Sequence, residues 1–478
     1  MELGDSRQPQ GSHEPPMMLL EQLPPDARSV LDRLARAFAE RGQSLYLVGG
    51  SVRDLLLGRP VKDLDFATSA EPMITEAAGR AADATSVYTI GEKFGTIGFV
   101  FDDLNVEITT FREEHYPTAT RHPAVQHGVD IVADLSRRDF TVNAIAIEAR
   151  TGEIIDRFQG LADLKRRIIR AVGEPEARFR EDPLRILRAV RFAAELDFQI
   201  HPETLAAMRT MAPELERISR ERIAAELNRL LVAPAAGHGL DLIRSLGLLP
   251  YTIPELIPIA KDTGEGRHKN IWTHTVRVVT QSPPRLAVRW AALLHDAAKP
   301  MTRSVDEFGQ VHFFGHERLG ADLTRRALRR LKLDRALTER VAGLVEMHLR
   351  PAGYEPSWTD SAVRRLMLEA GELREDLLAL AAADVTSARA HRQREAAERV
   401  AALAAHIRRL EEQYALDQLK SPLDGDELMA IFHRPPGRWI GQLKDHLREM
   451  VIEGTLAPGD RETALEEAHR WMVEHGEV

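Results

Sequence analysis

The chain has 478 residues, a formal net charge of −9, 44% hydrophobic residues and no cysteine, which allows three or more domains and excludes disulfides and thiolate metal sites. Any metal must therefore be held by His, Asp or Glu, and the acidic balance argues against indiscriminate nucleic-acid binding while leaving room for a local basic face. No apolar run reaches the length of a membrane span, and the polar, proline-rich opening MELGDSRQPQGSHEPP does not read as a signal peptide, so a cytoplasmic protein is expected.

Residues 1–25 are expected to be disordered, and 26–42 to form an amphipathic helix carrying Val30, Leu31, Leu34, Ala35 and Phe38. The segment LYLVGGSVRDLLLGRPVKDLDFAT, residues 45–68, follows. Leu45–Val48 reads as a short buried strand broken by Gly49 and Gly50, whose missing Cβ atoms let backbone N–H groups approach phosphate oxygens. Residues 51–57 predict a helical turn or two whose N-terminus faces an anion, with Arg53 adding a permanently charged fork. Asp63 and Asp65 stand two apart, on one face if their segment is a strand. Two converging carboxylates require a cation, and hard oxygen ligands suit Mg²⁺. Taken singly, a Gly-Gly pair is common in turns and such acidic pairs often solvate strand ends.

Further strand-like segments at 96–101, 105–111, 143–148 and 153–155 complete a small mixed sheet ending near residue 170. Glu107 alternates with apolar neighbours in Asn105–Arg112, so it is placed to join Asp63 and Asp65 as a third acid or to remain a solvated strand residue. From 183 to 478 the chain reads as Leu-, Ala- and Arg-rich helices with a period near 3.6. The fold class is therefore α+β: a mixed α/β head (26–170), a helical neck (171–250), a further helical domain (251–395) and a helical tail (396–478).

In Glu181–Arg191, EDPLRILRAVR, Pro183 suits a first helical position and Asp182 an ordinary N-cap. Asp182 and Arg185 also lie three apart on one helix face. A carboxylate accepts from the exocyclic amine of cytosine or adenine, and an arginine donates to the ring nitrogen beside it. Guanine and uracil present a carbonyl and an N–H there, so one Asp/Arg pair accepts C and A and refuses G and U. Arg325, Arg326, Arg329, Arg330, Lys332 and Arg335 cluster as either a solvated helix face or an RNA-backbone contact.

These motifs resemble the head signature of the class II nucleotidyltransferases, the tRNA CCA-adding enzymes and bacterial poly(A) polymerases, over roughly residues 26–450. Their arrangement looks most like the actinobacterial CCA-adding enzymes that carry an HD-type domain. The resemblance implies that Arg138 and Asp139 of RRDFTVNA bind nucleotide and ribose, that Asp182 and Arg185 act as a protein template, and that Arg188 and Arg191 are further nucleotide-binding arginines. Asp63, Asp65 and Glu107 would then hold two Mg²⁺ ions, and tRNA, CTP and ATP would be the substrates. Poly(A) polymerases of the family carry a basic GRRFRL-like segment where this chain has IGEKFGTI at residues 90–97, which favours CCA addition.

Downstream, His274, the pair His295-Asp296, and Asp384 follow the H…HD…D order of HD metal-dependent phosphohydrolases, and His316 and His348 are candidates for a second metal. His and carboxylate ligands suit a divalent transition metal. This domain, 251–395, is therefore expected to be of HD type, either a phosphohydrolase or a scaffold. Pro435–Lys444 resembles a helix-opening segment of the family's RNA-binding body, or is ordinary turn chemistry. The alternatives to CCA addition are poly(A) synthesis and an HD phosphohydrolase with a nucleotide-sensing head. The patterns specify no oligomeric state.

Overall fold

The computed structural model describes residues 19–61, 63–90, 95–115, 124–127, 130–261, 270–386, 390–413 and 420–475. The expected disorder at 1–18 and residues 91–94 of IGEKFGTI lie outside the described residues. The rest of the first expectation is corrected: Leu20 and Leu23 are buried, residues 19–20 are helical, and a helix begins at Pro25. That helix, α1 (Pro25–Ala39), buries Val30, Leu31, Leu34, Ala35 and Phe38, and it stops three residues early, ahead of Gly42 at φ +68°.

The chain divides into two compact units, one of Met1–Leu230 with Leu242–Tyr251, the other of Leu231–Asp241 with Thr252–Val478. The first unit is built on strands β1 (Leu45–Val48), β2 (Leu64–Thr68), β3 (Ser86–Ile90), β4 (Thr96–Phe101) and β5 (Leu104–Thr110). A separate antiparallel ribbon of β6 (Arg112–His115) and β7 (Ala124–His127) follows, then β8 (Ala146–Glu148) and β9 (Ile154–Ile155). The main sheet has the order β3-β4-β5-β2-β1-β8-β9. Its β2 and β5 run parallel and its other neighbours antiparallel.

Central position explains the near-continuous apolar runs of β1 and β2, where Leu47, Leu64 and Phe66 are essentially inaccessible. By contrast β5 alternates, burying Val106, Ile108 and Thr110 while Asn105 and Glu107 stay exposed. Strands β3, β6 and β7 carry too few apolar residues in alternation to stand out in the sequence, and they form because neighbouring strands accept their backbone.

Helices then take over: α2 (Gly49–Leu56) already follows β1, α3 (Ile131–Ser136) precedes a 3-10 turn at Thr141–Asn143, and α4 (Pro175–Glu181), α5 (Leu184–Leu196) and α6 (Arg220–Leu231) complete the surroundings of the site. The expectation that strands end near residue 170 is corrected by two-residue pairings, Ile168–Ile169 with Gln199–Ile200 and Ser304–Val305 with Val311–His312.

In the second unit α8 (Leu286–Leu294) buries all but its first residue and packs against α7 (Ile271–Gln281), α10 (Arg335–Met347) and α11 (Arg374–Ala383). A helix buried on every side belongs at the centre of a bundle, and its one charged residue, Arg289, donates to the carbonyls of Pro283 and Leu231. Helix α9 (His316–Arg330) packs on α10. The expected boundary at 395/396 falls inside one continuous helix, α12 (Ala390–Gln413). Among the described residues no helix is long and apolar enough to cross a membrane.

Candidate active site

Gly49 is the hinge between strand and helix. Its φ is +69°, and a Cβ there would stand 2.8 Å from Arg138 Nη1, so the turn excludes side chains for both conformational and steric reasons. Gly50 lies beside it against Arg53. Two residues after Gly49, Ser51 Oγ donates to the carbonyl of Asp63 and accepts from the amide of Asp65, both at 3.0 Å. One hydroxyl thus ties the start of α2 to the start of β2 and fixes the backbone that carries both carboxylates.

Asp65 and Glu107 are directly paired in the parallel register of β2 and β5, so their side chains share a face. Asp63 sits one residue before β2 and is exposed. Burial first, then the Glu107 carboxylate, push the Asp65 carboxyl up to about 6, with Asp63 adding to the rise and Arg138 offsetting part of it. The three acids offer oxygen donors of the kind a hard divalent cation takes, but among the described residues the groups whose ligand atoms already lie close enough to share one ion are those of the second unit.

The arginines divide into those already committed and those facing the cavity. Arg53 donates from Nε and Nη2 to Asp54, both at 2.9 Å, and from Nη1 to Asn143 Oδ1 at 2.8 Å. Arg191 is 1% exposed and bonded to Glu226 at 2.6 Å and Glu195 at 2.8 Å, which fixes α5 to α6. It also lines the cavity described below, so the expected nucleotide arginine is at the same time a buried cross-brace. Arg138 reaches Asp134 at 3.3 Å and keeps a buried Nε without a partner. Asp134 is fully buried; burial pushes its carboxyl up, but Arg138 and Arg137 reverse that and hold it below the ordinary range.

Asp139 and Arg188 form a bidentate contact at 2.8 and 2.6 Å through one carboxylate oxygen. The other oxygen accepts from Asn143 Nδ2 and the Phe140 amide. Against burial, Arg188 and Asn143 keep Asp139 ionised below the usual range. Asp139 thus orients Arg188, and both residues line the cavity described below. Arg53, Arg188 and Arg191 all stand over the Phe192 ring, at 5.2, 5.5 and 4.0 Å from its centroid.

Helix α5 begins at Leu184, one residue later than the proline suggested, and Asp182 Oδ1 accepts from the Leu184 amide at 3.2 Å. The cap position is therefore Pro183, Asp182 bonds the first helical amide from one residue further out, and its Oδ2 is held by Arg222 at 2.7 Å. Arg185 is pinned by Glu181 at 2.7 Å and by the carbonyls of Arg178 and Arg137 at 3.2 and 2.9 Å. One cavity of about 440 Å³ is lined by Gly49, Asp65 and Arg138 together with Asp182, Arg185 and Arg188. Asn143, Arg222 and Arg229 also line it. Sequence reasoning gave these three no role, nor Ser51; Asn143 and Ser51 stand inside quoted motifs, whereas Arg222 had no local signal.

The second unit gathers all six expected HD residues. His274 Nε2 lies 3.1 Å from both His295 Nε2 and Asp384, and 3.3 Å from Asp296. Each imidazole is bonded through Nδ1 to an oxygen outside the cluster: Thr386 for His274, Ala292 for His295, Phe313 for His316 and Val345 for His348. With each Nδ1 engaged outside the cluster, the Nε2 atoms are left for the interior, the arrangement of metal-bound histidines. Asp296 Oδ1 and His316 Nε2, 3.6 Å apart, are buried without partners. His274, His295 and Asp384 are close enough to share one cation, and Asp296, His316 and His348 another.

Protons stand where cations would. Burial lowers His274, but Asp296 and Asp384 more than reverse this and raise it to about 9. Burial and His295 depress His348 to about 4. Asp296 and Asp384 are drawn below the carboxylate range by the histidines despite burial, and Lys299 adds a 2.7 Å contact to Asp296. His312 does not join the cluster; it pairs with Asp306 at 2.8 Å.

Much of the basic stretch on α9 is neutralised within the protein: Arg325 and Arg329 pair with Glu339, and Arg330 pairs with Glu255. At Pro435–Lys444 the segment opens helix Arg438–Glu453 and buries Trp439 among Leu443, Leu447 and Trp471.

Comparison with known proteins agrees with this geometry. Residues 45–170 match the poly A polymerase head domain, 197–259 the probable RNA and SrmB-binding site of polymerase A, and 271–389 the HD domain. The chain is 36% identical to an A-adding tRNA nucleotidyltransferase of Deinococcus radiodurans, over 90% of this chain and 95% of that protein. It is 32% identical to a CCA-adding enzyme of Enterococcus faecalis, over 88% and 91%. The crystal structure of the Bacillus stearothermophilus CCA-adding enzyme in complex with CTP superposes with a TM-score of 0.72 at 28% identity, covering 95% of this chain and all of that one. Head motifs, a helical RNA-binding region and an HD cluster in one chain, with relatives matched over nearly their whole length, mean that this protein belongs to the family of tRNA nucleotidyltransferases and poly(A) polymerases.

Proposed function

We propose that the chain completes tRNA 3′ ends in the cytoplasm, adding C, C and A from CTP and ATP without a nucleic-acid template. The observation that carries this reading is the single cavity lined by the Asp65 carboxylate and Gly49 turn together with the fixed Asp182 and Arg185 pair. Arg138 and Arg188 would neutralise the triphosphate, and Asp182 with Arg185 would read the base edge. The 3′-hydroxyl of the tRNA attacks the α-phosphorus, the α–β bridging bond breaks, and pyrophosphate leaves. Mg²⁺ held by Asp63, Asp65 and Glu107 would acidify that hydroxyl and neutralise the leaving group. Head, neck, HD domain and tail at 26–170, 171–250, 251–395 and 396–478 would divide the labour, with Arg326 and Arg335 still exposed for RNA.

The test supplies tRNA lacking the whole terminal triplet, or lacking only its final A, with one labelled nucleotide at a time. CCA addition gives C on the first acceptor and a single A on the second. The A-adding relative favours a narrower reading, in which only the second acceptor is extended and only by ATP. Long A tracts on any RNA would indicate poly(A) synthesis and overturn tRNA specificity.

We also infer a second activity. Inward Nε2 atoms at His274, His295, His316 and His348 favour two transition-metal ions and a phosphohydrolase, and loss of metal-stimulated phosphatase activity in His295→Ala with Asp296→Ala tests it.

A further inference from the structure

Arg222 enters the nucleotide cavity from outside every motif that stands out along the chain. It lies on α6, forty positions from Asp182 along the chain, and its Nη2 donates to Asp182 Oδ2 at 2.7 Å. The opposite oxygen, Oδ1, accepts from the Leu184 amide at 3.2 Å. An aspartate has two side-chain torsions, and two donors on two different oxygens leave neither free. Each oxygen retains a second lone pair for a ligand.

Why a base-reading carboxylate must be held still follows from the bases themselves. Cytosine and adenine offer an exocyclic amine, and beside it a bare ring nitrogen. Uracil and guanine offer a carbonyl at the first position and an N–H at the second. A carboxylate fixed opposite the amine position meets a repelling carbonyl when U or G enters. A carboxylate free to swing toward the ring position would instead accept the uracil or guanine N–H and admit the wrong nucleotide. Charge alone therefore does not discriminate; orientation does. Arg185 is restrained in the same way, by Glu181 and two backbone carbonyls, so the donor half of the template is already rigid.

We propose that Arg222 is a positioning residue for nucleotide selection, locking the Asp182 carboxylate onto the amine position so that C and A are accepted while U and G are refused. The inference rests on the reading of Asp182 and Arg185 as the base template. Arg222 touches the template and not the reacting atoms. Its side chain is half exposed, so replacing it removes little packing.

The experiment uses the full chain with acceptor tRNA in single turnovers, comparing CTP with UTP and ATP with GTP. Arg222→Ala is expected to lower both selectivity ratios about tenfold, mainly through faster misincorporation, and Arg222→Lys to recover part of the loss. In the double variant with Asp182→Ala, selectivity should be no worse than in Asp182→Ala alone, because the lock acts only through that carboxylate. Unchanged ratios with weaker tRNA retention would make Arg222 an RNA contact and overturn the proposal. Uniform slowing with a lowered Tm would make it a helix brace and overturn the proposal equally. If Asp182→Ala destroys selectivity while Arg222→Ala does not, this inference alone fails. Wild-type selectivity in Asp182→Ala removes the template reading and this inference with it.

Discussion

Asp65 carries a cost in the metal-free protein that the proposed metal would offset. Its carboxyl is raised from an ordinary 3.8 to about 6 by burial and by Glu107. A raised acid binds its proton more tightly when folded, so the ionised form destabilises the fold at pH values above about 6, and the penalty fades as pH falls toward the unfolded value. Asp65→Asn should therefore raise the Tm of metal-free protein near pH 8 and lose that advantage near pH 4, while abolishing nucleotide addition. Thermal melts at the two pH values, in chelator, check the sign. A Tm advantage of the same size at both would mean that packing, not charge, separates the two proteins. His274 gives the complementary case. It holds a proton up to about pH 9, and a metal must displace it. Loading a transition metal near pH 7 should release protons, read by calorimetry in buffers of different ionisation enthalpy. Heats independent of buffer would exclude His274 as a ligand.

At the scale of elements, α5 and α6 are joined by Arg191 between Glu195 and Glu226, with the guanidinium 4.0 Å from the Phe192 centroid. Removing one member of such a buried network strands the other charges. Arg191→Met should cost about 3–5 kcal/mol of stability and leave the choice among nucleotides unaltered. Denaturant melts and incorporation ratios separate these effects; a stable variant with altered selectivity would restore Arg191 to the nucleotide site. Elements were legible in the sequence where periodicity was strong, as in α1, β1, β2 and β5. They were not where pairing alone creates the strand. Ser86–Ile90 has one partner, β4, and Ile168–Ile169 pairs with Gln199–Ile200 across two intervening helices, α4 and α5. The helix start at Leu184 illustrates a smaller miss: Asp182 is extended and Pro183 already has helical angles, φ −57° and ψ −21°, so the difference is one residue of boundary.

For the whole molecule, the head cavity and the HD cluster lie in different compact units, each with its own ligand chemistry. His295→Ala with Asp296→Ala should remove transition metal from the protein and spare CCA addition by Mg²⁺-supplied enzyme. Metal analysis beside the incorporation assay checks this, with circular dichroism to show that the variant is folded. Loss of addition in a folded variant would mean that the units are coupled. Sequence by itself determined the kinds of chemistry present: carboxylates two apart, a glycine turn before them, an Asp/Arg pair on a helix and an H…HD…D order, because those signals are local or ordered along the chain. Only the tertiary structure decided which groups are free to use them. Arg188 meets Asp139 across 49 positions, Arg191 meets Glu226 across 35 and Arg222 meets Asp182 across 40. An arginine's role is set by the nearest carboxylate in space, and no pattern along the chain specifies that partner.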